Sequence, residues 1–222
     1  IAISAVKSES ATFQILPFVW QTGGDLNDYA TSGATALAYL RGLIDDGSMS
    51  EAVSNYTQED ARTQFITGKS AMMINGPWEL ATLTKDAQFD WDVAPLPKDK
   101  RAATSMGGEN VVVMNGAKQS DAAVKLAKFL TSAEGAKIYC DGSGQLSSRP
   151  DLQGKLKLSN DAKLKVFEDQ LQYAHARAYG KDYPKISEAI QLSMQEALTG
   201  ASTPEAAAKK AAETITPLLP KN

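Results

Sequence analysis

From Ser32 to Ile44, apolar residues recur as Ala34, Leu37, Leu40 and Leu43 with polar positions between them, the period of an amphipathic helix, which Asp45-Asp46-Gly47 ends. A second helix is predicted behind Thr57-Gln58-Glu59-Asp60, where Thr57 caps the first turn and the acids suit its positive end. Its Ala61, Phe65 and Ile66 face inward, and Gly68 closes it. The apolar segment Phe13 to Trp20 reads as a helix stopped by the paired glycines of Gln21-Thr22-Gly23-Gly24-Asp25. Further helices are predicted over Ser120 to Leu130 and Ala133 to Asp141, followed by a glycine-rich and serine-rich stretch from Gly142 to Arg149. The last third reads as helices over Asp161 to Ala176, Ile186 to Leu198 closed by Gly200, and Pro204 to Leu218 with Thr203 as cap.

Strand patterns occur earlier. Ile1 to Val6 alternates, Ser70 to Ile74 follows Gly68 at once, and Phe89 to Pro97 has a proline-stiffened exit. Val111 to Met114 is apolar without alternation, the pattern of a strand buried on both faces of a parallel or mixed sheet. Strands and helices alternate early and helices dominate late, which predicts an α/β fold. Opening in a strand with no preceding turn or helix, the chain is expected to be truncated. Between Ile74 and the next helix, Asn75-Gly76-Pro77-Trp78 turns the chain, with Pro77 in a first helical turn and Trp78 projecting from that helix's amino terminus. The polar stretch Lys98 to Ser105 reads as a crossing loop and a lobe boundary.

Composition narrows the function. With 222 residues, 43% hydrophobic and 22% charged, the chain can bury a sizeable core. The formal net charge of -3 and the lack of a basic cluster interleaved with aromatics exclude nucleic acid as an expected partner. No apolar run approaches the roughly 18 residues that span a bilayer, and Ile1 to Val6 lacks the flanks of a secretory signal. Cys140 and His175 are single. They allow no internal disulfide, no cysteine-based metal site and no Ser-His-Asp arrangement, so neither metal nor cofactor is expected. Cys140 reads as a buried filler and His175 as a helix-end or surface residue.

The run Phe65-Ile66-Thr67-Gly68-Lys69-Ser70-Ala71-Met72-Met73-Ile74-Asn75-Gly76-Pro77-Trp78 joins a helix, a Gly-Lys turn, a strand and an Asn-Gly-Pro-Trp step. With Trp20 to Asp25, Ala94-Pro95-Leu96-Pro97, Gly107-Gly108-Glu109, Phe129 to Gly135, Ala197 to Gly200 and Thr203 to Ala206, it resembles the family-1 extracellular solute-binding proteins, the group containing the maltose-binding proteins. The resemblance covers nearly the whole chain but not the family's long amino-terminal segment. It implies the periplasmic-binding-protein type II fold, with residues 1–105 and 150–222 in the carboxy-terminal lobe and 106–149 returning to the amino-terminal lobe. It implies a carrier rather than an enzyme, one that captures a di- or oligosaccharide and delivers it to the permease subunits of an ABC transporter. It also implies a place in the bacterial envelope, periplasmic or on the outer cell surface, with membrane contact only through the permease or a lipid anchor.

A sugar site needs flat apolar faces for the ring C–H groups and polar groups for the hydroxyls. By the resemblance, Trp78 is the stacking residue, and Trp20 stands where related proteins place an aromatic near ligand, although both have a packing alternative. Gly107 and Gly108 could bring backbone N–H groups close to a hydroxyl and Glu109 could accept from one, or the three could form a plain strand-entry turn. Tyr183, in the loop that carries a stacking aromatic in maltose-binding relatives, and Arg177, suited to bidentate bonds, complete the candidates. Counting back from Gly200 puts Ser187 at the relatives' tryptophan position. Two other functions compete: a binding protein of the same fold for a non-sugar solute, and a glycoside hydrolase drawing on Glu79, Asp90, Asp92 or Glu109.

Overall fold

The structure is a computed structural model and describes residues 1–220. Its helices are α1 (Glu9–Gln21), α2 (Tyr29–Asp45), α3 (Gln58–Ile66), α4 (Leu80–Asp86), α5 (Ser120–Leu130), α6 (Ala133–Ser143), α7 (Ala162–Gln170), α8 (Tyr183–Leu198) and α9 (Pro204–Ile215). Two short strands, β1 (Thr104–Ser105) and β2 (Ala174–His175), pair in parallel. None of the helices among the described residues is long and apolar enough to cross a membrane.

The chain divides into two compact units. The first gathers Ile1–Asn75, Leu96–Met106 and the segment from Gln170 onward; the second gathers Gly76–Pro95 and Gly107–Asp169. The second unit holds residues 107–149 together with the Trp78 turn, α4 and α7.

In the first unit α9 packs on α2 and α8, and α1 packs on α2 and α8. The contacts use the expected stripes: Leu37 and Leu40 from α2, Ile15, Leu16 and Val19 from α1, Ile186, Ile190 and Met194 from α8, and the small Ala207, Ala208 and Ala211 from α9 are all buried. Alanines on α9 leave little side chain between helix axes and so permit close packing. Start signals act as read: Thr57 and Asp60 form a reciprocal capping box on α3, and the Thr203 hydroxyl accepts from the Ala206 N–H on α9.

The strands depart from expectation. Ile1 to Val6 and Ser70 to Ile74 meet only in a parallel bridge between Ala2 and Met73. Beyond it the first segment bonds to a 3-10 turn, with the Ala5 N–H donating to the Val53 carbonyl at 3.2 Å and the Val6 N–H to that of Tyr56 at 3.3 Å, so no ladder extends. Residues 89–97 form no strand. Nor do residues 111–114, where Val112 is 69% and Met114 74% exposed. A run apolar on both faces becomes a strand only with neighbours on either side, and among the described residues the β1–β2 pair is the one sheet. Conversely, β2 lies where the Asp161 to Ala176 helix was expected to continue; α7 ends at Gln170, and Ala174 and His175 pair with Thr104 and Ser105.

Candidate functional site

At the start of α1, Ser8 caps the helix by accepting from the Ser10 N–H, and Glu9 stands in the first turn. Three partners from the far end of the sequence converge on its carboxylate: the Tyr183 hydroxyl donates to Oε1, the Ser187 hydroxyl donates to Oε2 at 2.5 Å, and Arg177 Nε lies 3.2 Å from Oε1. Arg177 Nε also donates to the Tyr183 oxygen at 3.1 Å, and its guanidinium carbon sits 4.6 Å from the centre of the Phe13 ring, a cation–π arrangement. Ser187 in turn hydrogen-bonds the Thr12 hydroxyl at 2.7 Å and receives the Gln191 amide at 3.0 Å. Burial, then the bond to Glu9, pushes the Tyr183 phenol up to about 12.

Next to it, Trp20 is fully buried. Its indole N–H donates to Asp25 Oδ1 at 3.0 Å and to the Tyr179 oxygen at 3.1 Å, and its ring stacks on His175 with centroids 4.8 Å apart. The Tyr179 hydroxyl donates to Asp25 at 2.5 Å; burial first, and that bond second, raise its pKa. Both the ring and the N–H of Trp20 are taken up by packing, as in the packing alternative read for it from the sequence. His175, read as a helix-end or surface residue, is a strand residue whose ring covers that indole. The Arg101 guanidinium, through bonds to the carbonyls of Trp20 at 2.6 Å and Gly24 at 3.1 Å, ties the crossing segment to the end of α1.

Trp78 belongs to the second unit. The Asn-Gly-Pro-Trp step forms a 3-10 turn, Pro77–Glu79, leading into α4 with Pro77 at its first position. The ring of Trp78 is half-buried and folds back over Gly76, where a Cβ would lie 2.1 Å from Cη2 of the ring, so that a larger residue there would displace the indole. Gly144, at the left-handed end of α6 with φ 72°, abuts the same turn; its Cβ would come within 3.1 Å of the Pro77 carbonyl oxygen. Gly144 thus has both a conformational and a packing reason.

Gly107, Gly108 and Glu109 are exposed, and a Cβ at Gly108 would meet nothing within 4 Å. Among the acids named for hydrolysis, Glu79 is buried whereas Asp90, Asp92 and Glu109 are exposed. Trp91 lies under the Lys163 ammonium at 4.9 Å, a packing role. Of the sequence candidates, then, Arg177 and Tyr183 come together on the first unit, and Trp78 and residues 107–109 lie in the second. Sequence reasoning missed Glu9 and Asp25. For Glu9 the available signal was a first-turn acid behind a capping serine; its partners, 168 to 178 residues away, carry no local mark.

The bacterial extracellular solute-binding protein family matches residues 4–166, and the chain belongs to that family. A Brucella abortus binding protein is 25% identical over 213 residues, 91% of this chain and 52% of its own. A maltooligosaccharide ABC transporter solute-binding lipoprotein of Streptococcus pneumoniae is 32% identical over 103 residues, covering 45% of this chain and 24% of its own. Among solved structures, an ABC transporter solute-binding protein of Thermotoga lettingae bound with α-D-tagatose superposes with a TM-score of 0.86 at 31% identity, covering 99% of this chain and 59% of its own. Maltose-bound MalE3 of T. maritima gives 0.84 at 27%, covering 98% and 60%. The fold is that of the type II periplasmic binding proteins, and the chain spans about half the length of the first of these relatives.

Proposed function

We propose that the protein containing this chain is a non-catalytic carrier that captures a neutral sugar, a di- or oligosaccharide, outside the cytoplasm and hands it to the permease of an ABC transporter. The observation that carries this reading is the likeness, over 99% of the chain, to a solute-binding protein holding a sugar. The relatives named for maltose and maltooligosaccharide favour an oligosaccharide over a non-sugar solute. Two surfaces are put forward, one on each unit. On the second unit Trp78 supplies a half-buried indole at a helix entrance, suited to the C–H face of a pyranose, with Gly107, Gly108 and Glu109 as further candidates. On the first, Tyr183, Arg177 and Glu9 supply a bonded polar cluster for hydroxyls.

The test is calorimetric titration of the chain with tagatose, maltose and maltotriose, alongside Trp78→Ala. Saturable heat with one of them in the parent, weakened at least about tenfold in the variant, supports sugar capture and the indole's part in it. Equal affinity in the variant removes Trp78 from the site. Absence of binding to every sugar, repeated in a longer chain of the length of its relatives, overturns the reading.

A further inference from the structure

Glu9 and Arg177 are ordered by depth. The Arg177 side chain is 17% exposed and lies over Phe13, while the Glu9 side chain is 48% exposed. The cation is thus the inner partner and the anion the outer one. Tyr183 and Ser187 donate their hydroxyls to Glu9, and Thr12 and Gln191 hold Ser187. These groups make both Glu9 oxygens acceptors, and Lys7, the next cation on this side of the sequence, is drawn to Glu188 at 3.4 Å.

We propose that the Glu9–Arg177 pair sets the charge class of the solute, making this face accept uncharged polyols and reject sugars that carry a carboxylate. This rests on the reading of the chain as a sugar binder. A sugar hydroxyl approaching the cluster meets a carboxylate edge to which it can donate, as O–H groups of Tyr183 and Ser187 already do. A uronate or aldonate meets the same negative charge before it can reach the guanidinium, whose Nε Glu9 already engages. Discrimination by an unfavourable contact of this kind needs no extra pocket; one outward carboxylate is enough.

The experiment compares neutral and acidic partners of one ring skeleton, glucose with glucuronate and maltose with the derivative oxidised to a carboxylate at C6 of its non-reducing ring, by calorimetry on the full chain at low salt. The parent is expected to bind the better neutral sugar at least about tenfold more tightly than its acid, with the gap narrowing as salt is added. Glu9→Gln keeps the shape and leaves the Arg177 charge unbalanced, so the gap should close or reverse. Tyr183→Phe retains both charges and should keep the parent's ratio whatever happens to absolute affinity. An unchanged neutral-to-acid ratio in Glu9→Gln, in a variant whose melting shows it folded, overturns the proposal, as does a parent that binds acid and neutral sugars alike. A parent that binds neutral sugars while the ratio ignores Glu9 fails this inference alone; binding to none of the four, repeated in a longer chain of the length of its relatives, fails the carrier reading and this inference with it.

Discussion

The ring of Trp78 rests on the backbone of Gly76 so closely that a single added methyl at residue 76 would overlap it, with Cη2 at 2.1 Å from the ideal Cβ position. Gly76 itself has extended backbone, φ -120° and ψ 176°, a conformation any residue adopts. The glycine answers to the ring beside it, and the pair is one structural unit within the Asn-Gly-Pro-Trp step.

Gly76→Ala should therefore move the indole rather than strain the main chain. Overpacking of this sort costs about 1–3 kcal/mol. Urea unfolding should show that loss, and the emission of the variant should shift relative to the parent because Trp78 leaves its half-buried position. An alanine variant with parental emission and midpoint would contradict the close approach.

Trp20 makes the opposite prediction, since its ring is fully buried. Trp20→Phe removes the donor to Asp25 and Tyr179 and leaves these half-buried acceptors one donor short, for which about 0.5–1.5 kcal/mol is expected. Trp20→Ala adds a cavity among α1, β2 and Tyr179 and should cost more, about 3–5 kcal/mol. Chemical denaturation of the two variants side by side checks the order; a phenylalanine variant as stable as the parent would mean the indole N–H bonds contribute nothing.

The helices were legible because their signals are local. Thr57 with Asp60, Thr203 with Ala206, and the spacing of Leu37 and Leu40 lie within a turn or two of sequence and appear as read. The strands were not, because a strand is defined by its neighbours: Val111 to Met114 has the composition of a buried strand and no ladder, whereas Ala174 and His175, with no strand signature, pair with Thr104 and Ser105. The candidate site divides in the same way. Trp78 could be placed at a helix entrance from Pro77 alone, while the burial of Trp20 depends on His175 and Tyr179, more than 150 residues further on.

A cap read from sequence and present in the structure can be weighed directly. In Thr57→Ala, the Asp60 N–H loses its acceptor and the Asp60 carboxylate loses one of the donors that hold its pKa below the usual carboxylate range. The loss expected for such a cap is about 1 kcal/mol, read as a lowered urea midpoint with an unchanged slope. Thr57→Ser, which keeps the hydroxyl, should recover most of it.

Tyr183 offers a prediction with a definite pH window. Its phenol is raised from an ordinary 10.0 to about 12, first by burial and then by the bond to Glu9. A folded pKa above the unfolded one means the fold favours the neutral phenol. Its contribution to stability is complete below pH about 10 and is lost as pH rises through about 12, because the unfolded chain releases that proton earlier. Tyr183→Phe cannot ionise, so the stability gap between parent and variant should shrink across this window and stay flat below it. The chain has seven tyrosines, so phenolate absorbance is best read as the difference between parent and variant, which isolates one titration. A difference curve centred near the ordinary value, with a stability gap independent of pH, would place the Tyr183 hydroxyl in water and remove its bond to Glu9.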